Sequence, residues 1–275
     1  MSTPFQDNDH RSGLAPRVFD ALSAQVPHLS ALIAGQELPA PPDNVDYTGN
    51  LPLDLGEMLN NNLNDCTCAA YYHARQVWTA NTQAAVVTES DDDVQQLYVE
   101  TCGYDPNVGS PGPLGIAQHV LTYLVTTGAP IGDGGAARER LIAFVEVDPR
   151  NEDDVKRTIA DCGVAYIGFA LPTNANYDNR NWDYVVDTPM TGKRHAVVLA
   201  AYDAGGATAI SWGQTYTMTW DFFQQYVDET YALADATWIR ANRTTPAGMT
   251  IQQLQALMQS IKRVQPGGEN PPPEE

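Results

Sequence analysis

Cys66 and Cys68 stand one residue apart in "LNNNLNDCTCAAYYHARQVW", where a polar run meets an apolar helical pattern. A thiol at a helix N-terminus is a chemical opportunity, because free backbone N–H groups and the helix dipole stabilise its thiolate. Cys66 stands at that start behind Asn64 and Asp65, whereas Cys68 lies deeper and is expected to pack. A thiolate used as a nucleophile needs a base, and the chain has five histidines. His73 follows Cys66 by seven residues on the same helix, two turns away and out of reach. His119 lies in an apolar helix, and His10 and His28 sit in the N-terminal segment without company. His195 opens "HAVVLAAYD", a strand-like run from which an imidazole would emerge at a sheet edge. Cys66 and His195 are therefore the candidate thiol and base.

Composition narrows the classes. The 275 residues carry a formal charge of −19, which repels phosphate backbones and anionic bilayers and predicts neither a nucleic-acid nor a membrane partner. No run reaches the roughly 20 apolar residues of a membrane span, and "MSTPFQDNDHRSG" lacks the order of a secretory signal. The expectation is a cytoplasmic or virion-associated protein. Four cysteines are too sparse for a disulfide scaffold, and C-x-C has no second pair at zinc spacing, so no metal or other cofactor is predicted.

Helical patterns run over 17–34 (interrupted near Pro27), 66–80, 91–103, 113–128, 151–163, 219–235 and 250–265. The last begins with Thr250 and Gln253 as a capping box. Strand-like runs cover 141–147, 165–172, 195–203 and 207–213. The chain divides into an N-terminal arm (1–42), a helical lobe (43–130), a β-rich lobe (131–240), a C-terminal helix (241–265) and a tail (266–275) of disordered composition.

Two of these stretches resemble a known family. "PDNVDYTGNLPLDLGEMLNNNLNDCTCAAYYHARQVW" looks like the opening of a mature papain-like cysteine peptidase, and "RHAVVLAAYDAGGATAISWG" looks like its His-strand and Ser-Trp-Gly signature. Cys66 and His195 are 129 residues apart, close to the ~130–150 that separate thiol and later partners in that arrangement. The resemblance spans about 43–213 and implies an α+β, two-lobed fold, the helical lobe carrying the Cys helix and an antiparallel sheet or barrel carrying the His. It implies Cys66 as nucleophile, His195 as the general base that holds it as an ion pair, Asn60 as oxyanion donor and Trp212 as the indole shielding the imidazole, with Gly213 closing the turn.

The match also has gaps. Ile210 stands where the family's orienting Asn belongs, leaving Ser211, Asp203 or Gln214 to serve. Asp65 beside the thiol would raise its pKa. Leu63 replaces a disulfide partner, leaving Cys102 unpaired, and a helix over 219–235 replaces Gly-rich strands. The leading reading is a thiol peptidase or amidase acting on a peptide or isopeptide bond through an acyl-thioester on Cys66, with peptide or protein substrate and an open cleft. The second is a weakened or inactive scaffold whose N- and C-terminal arms dock partners in an assembly such as a virion. The third rests on "DCTC", which resembles the Asp-Cys-Ser-Gly motif of cell-wall amidases. The N-terminal segment would alternatively be an inhibitory propeptide cut near residues 39–42.

Overall fold

The computed structural model describes residues 10–132 and 134–259. After a 3₁₀ turn at Ser23–Gln25, the N-terminal arm carries α1 (Leu29–Leu32), and β1 (Val45–Asp46) leads into the helical region. There α2 (Cys66–Thr82), α3 (Asp91–Cys102) and α4 (Ala117–Thr126) precede a hairpin of β2 (Ala129–Ile131) and β3 (Ala137–Glu139). Then follow β4 (Ala143–Glu146), α5 (Glu152–Cys162), β5 (Ala165–Pro172), β6 (Asn181–Trp182), β7 (Met190–Tyr202), β8 (Gly206–Ser211) and β9 (Gln214–Thr219). The chain continues through α6 (Trp220–Tyr226), β10 (Val227–Ala234), α7 (Ala236–Asn242) and α8 (Ile251–Met258).

The helix boundaries have chemical causes. Ser90 and Asp93 form a capping box at the start of α3, behind which Asp91, Asp92 and Asp93 face the positive end of the helix dipole, and Gly103 ends it in the left-handed region. Asn151 caps α5, and Gly163 ends it where a side chain would collide with the Trp238 ring. Every residue of α2 from Cys66 to Ala80 is buried, the mark of a helix enclosed on all sides.

The main sheet runs β4-β10-β5-β7-β8-β9-β6, with β1 on β7. Its pairs are antiparallel except β6 with β9. Alternate residues of the central strands serve two cores. Tyr166, Ala196, Val198, Ala200 and Ile210 join α2, α3 and α4 on one face. Ile167, Phe169, Val197 and Leu199 join α5 and α6 on the other. Burial on both faces explains why these strands read as unbroken apolar runs rather than alternating ones.

One expectation fails outright. The helix predicted over 219–235 stops at Tyr226, and Val227–Ala234 is strand β10, paired on both sides with β4 and β5. "DETYALA" is rich in helix formers, but a central sheet position that buries Thr230 to Ala234 outweighs that preference. The C-terminal helix is Ile251–Met258, capped by Thr250 and Gln253; the rest of 250–265 and the tail lie outside the described residues. Helix α7 had no counterpart in the sequence reading.

Candidate active site

The site forms where the N-terminus of α2 abuts β7. Cys66 is the first residue of α2 and is 1% exposed. Its sulfur accepts a hydrogen bond from the Gly13 N–H at 3.1 Å and a second from the Ala196 N–H. Ala196 directly follows His195 in β7, so helix and strand bring thiol and imidazole into one neighbourhood from far apart in sequence.

His195 is fully buried. Its ring stacks on the Trp212 indole with centroids 4.5 Å apart and planes 19° apart, and Phe169 meets it edge-on at 5.9 Å. Nε2 shares a 2.7 Å hydrogen bond with Ser211 Oγ, while Nδ1 is buried with no hydrogen-bond partner. Of the three candidate orienting groups, Ser211 touches the imidazole. Asp203 instead accepts from the Gly205 and Gly206 N–H groups in the hairpin turn, and Gln214 donates to the Tyr177 hydroxyl. Ile210 points into the core shared with α2.

Asn60 sits beside the thiol's helix but spends both amide hydrogens locally, donating to the Leu63 carbonyl at 3.0 Å and to Asp65 Oδ1 at 3.1 Å. Asp65 is fully buried, and desolvation pushes its carboxyl well above the usual carboxylate range against that amide contact. All four cysteines are free thiols. No group of three or more His, Cys, Asp or Glu set to hold a metal is found among the described residues.

The cleft is not open. Residues 10–15 of the arm run through it, tied to Gly115 by an isolated β-bridge at Leu14. The Arg11 N–H donates to the Asn60 carbonyl, Leu14 N–H to the Arg194 carbonyl, and Gly115 pairs with Gly13 and Ala15 on either side of Leu14. The Trp212 indole N–H donates to the Arg11 carbonyl at 2.9 Å. Gly13 lies so close to Asn64 that a Cβ would fall within its backbone carbonyl. Leu14 is 2% exposed. His10 pairs with Glu57 at 2.9 Å and stacks on Tyr177 at 3.6 Å. So His10 has company after all. Nothing in "HRSGLA" marks this path in the sequence.

Burial sets the direction in which both groups shift. Burial drives the Cys66 thiol from its ordinary 9.0 up to about 12, although the Gly13 and Ala196 N–H groups pull the other way. Such a rise is worth about 4 kcal/mol, more than the ~2 kcal/mol upper limit of a helix terminus. Burial lowers His195 to about 3. Both shifts run against the ion pair expected from the sequence and toward a neutral thiol and a neutral imidazole.

Solved structures share this arrangement of helix and sheet. Xylellain, a cysteine protease from Xylella fastidiosa, superposes with a TM-score of 0.60 at 13% identity, covering 86% of this chain and 100% of its own. The fold is papain-like. Procathepsin L2 from Tenebrio molitor larval midgut matches with a TM-score of 0.57 at 14% identity, over 84% of this chain and 80% of its own. A procathepsin B from Trypanosoma congolense matches with a TM-score of 0.55 at 11% identity, over 82% and 87%. No family model and no curated protein matches the sequence. The α+β, two-lobed architecture expected from the sequence is thus the observed one.

Proposed function

We propose that the chain is a papain-like thiol peptidase or amidase stored in a latent state by its own residues 10–15. The observation that carries this reading is the Gly13 N–H on the Cys66 sulfur. The arm fills the groove with backbone, held by hydrogen bonds that an extended substrate would replace. Removing it readmits water, which takes away the desolvation that keeps both groups neutral. The thiol proton then passes to His195, and the thiolate attacks the scissile carbonyl. The tetrahedral oxyanion faces N–H groups at the start of α2, joined by the Asn60 amide once it leaves Asp65. The imidazolium returns its proton to the departing amine, leaving an acyl-thioester that water hydrolyses with His195 again as base. Ser211 holds the ring through Nε2 and Trp212 covers its face.

The test is Gly13→Val in the full chain, since no side chain fits at that position. Cleavage of a mixed peptide pool by this variant, abolished by adding Cys66→Ala, supports the reading. A second reading, a scaffold without catalysis, is favoured by the engagement of both Asn60 amide hydrogens. It is preferred if Gly13→Val cleaves nothing and its Cys66 alkylates only as a free thiol does, near pH 8.5.

A further inference from the structure

The arm's contacts differ in kind along the groove, and the difference specifies a ligand. At one end Leu14 is buried in a pocket floored by Gly168, where a Cβ would come within 2.7 Å of Leu14 Cδ2. Glu229 borders this pocket, but its carboxylate is already engaged, by Arg194 at 2.8 Å and by the Tyr231 hydroxyl at 3.0 Å. Those two contacts occupy both of its oxygens, with Arg194 shared with Asp228. The space is shaped for an aliphatic side chain.

At the other end, past Trp212, a cavity of about 580 Å³ is lined by Asp54, Glu57, Glu89 and Asp91 together with Tyr177 and Trp212. Glu89 is engaged by Arg75 and by the Gly132 N–H, and Asp54 accepts from the Gly56 N–H. Glu57 is paired with His10, an arm residue that leaves with the arm. Arg180 lies 5.2 Å from the Tyr177 ring centre. A carboxylate that loses its partner next to an aromatic ring is a receptor for a cation, through an ion pair and a cation–π contact.

We infer that the groove selects peptides bearing a cationic side chain in the place of His10 and an aliphatic one in the place of Leu14, with Glu57 setting the charge preference. Three residues separate the two positions, four steps that span at most roughly 13 Å at the ~3.3 Å rise of extended chain. This rests on reading the arm's groove as the substrate groove of the proposed enzyme, yet it makes a claim about binding that needs no catalysis.

The test uses the full chain carrying Gly13→Val to unseat the arm and Cys66→Ala to prevent turnover. Fluorescence anisotropy is read with labelled peptides of the arm's own sequence, His-Arg-Ser-Gly-Leu-Ala, in which the first residue is His, Lys or Glu and the fifth is Leu or Glu. The Lys peptide is expected to bind at least tenfold more tightly than the Glu peptide. That ratio should fall below threefold in Glu57→Gln and invert in Glu57→Lys. Glu in the place of Leu should weaken binding at least tenfold in every background. Equal affinities for Lys and Glu peptides, a preference unmoved by Glu57, or no binding at all would overturn the inference. Charge-selective binding by this variant, alongside a Gly13→Val chain with intact Cys66 that cleaves nothing, would retain the inference and remove the catalytic reading.

Discussion

A sulfur that accepts two backbone N–H groups in a dry pocket is a poor nucleophile until the pocket is wetted. Iodoacetamide should therefore label Cys66 in the full chain only slowly below pH 9, because burial lifts the thiol to about 12. In Gly13→Val, labelling at pH 5–6 should rise at least tenfold and return to baseline when His195→Ala is added, read by mass of the alkylated peptide. Two buried histidines also govern acid stability. His195 is lowered to about 3 and His73, whose ring meets Gln76, to about 4, both by burial. A depressed histidine binds its proton in the unfolded chain first, at the ordinary 6.5. Its contribution is present above that value and drains away as pH falls toward the folded one. Each should cost about 1.4 kcal/mol per pH unit between 6.5 and about 4. Denaturant titrations across that range should show the slope reduced in His73→Gln.

At the scale of elements, two structures invite measurement. Ser90→Ala removes the α3 capping box and should cost about 1 kcal/mol without affecting any groove contact, checked by urea midpoint. Trp78→Ala should cost about 3–5 kcal/mol, since this 1%-exposed side chain packs in the core from the C-terminal part of α2 and donates to the Cys162 carbonyl at 2.7 Å. Legibility in sequence followed how locally each element was determined. The start of α2 could be read because a polar lead-in and an enclosed apolar helix are local signals, and α3 announced itself through its three leading aspartates. Strand β10 could not, because its sheet neighbours β4 and β5 decide its state and its own residues favour a helix. The Ser211 contact was legible as one option among three; choosing it required the register that sets Ile210 into the core and Ser211 beside the imidazole. The arm's path was hidden altogether, since nothing in "HRSGLA" encodes the groove that receives it.

For the whole molecule, the arm is a strap fastened at several points rather than a plug. Leu22 and Val26 are buried in the same core as Leu14, and Leu29 in the other, Arg17 pairs with Glu146 at 2.6 Å, and the Pro27 carbonyl accepts from the Glu146 N–H. The exit at 34–37 and 39–40 is exposed, although Arg157 holds the Pro39 carbonyl. A protease should nick the chain there while the arm fragment stays bound. The two pieces are expected to co-elute in gel filtration and separate in mild denaturant, so cutting and unmasking would be distinct events.

The Gly13 cover bears on durability as well as on control. Thiol oxidation to sulfenic acid and beyond needs a thiolate and access for the oxidant. A Cys66 that is 1% exposed and pushed up to about 12 offers neither. The strapped molecule would then endure peroxide with its sulfur intact, and the same act that unstraps it would start the clock on its chemical ageing.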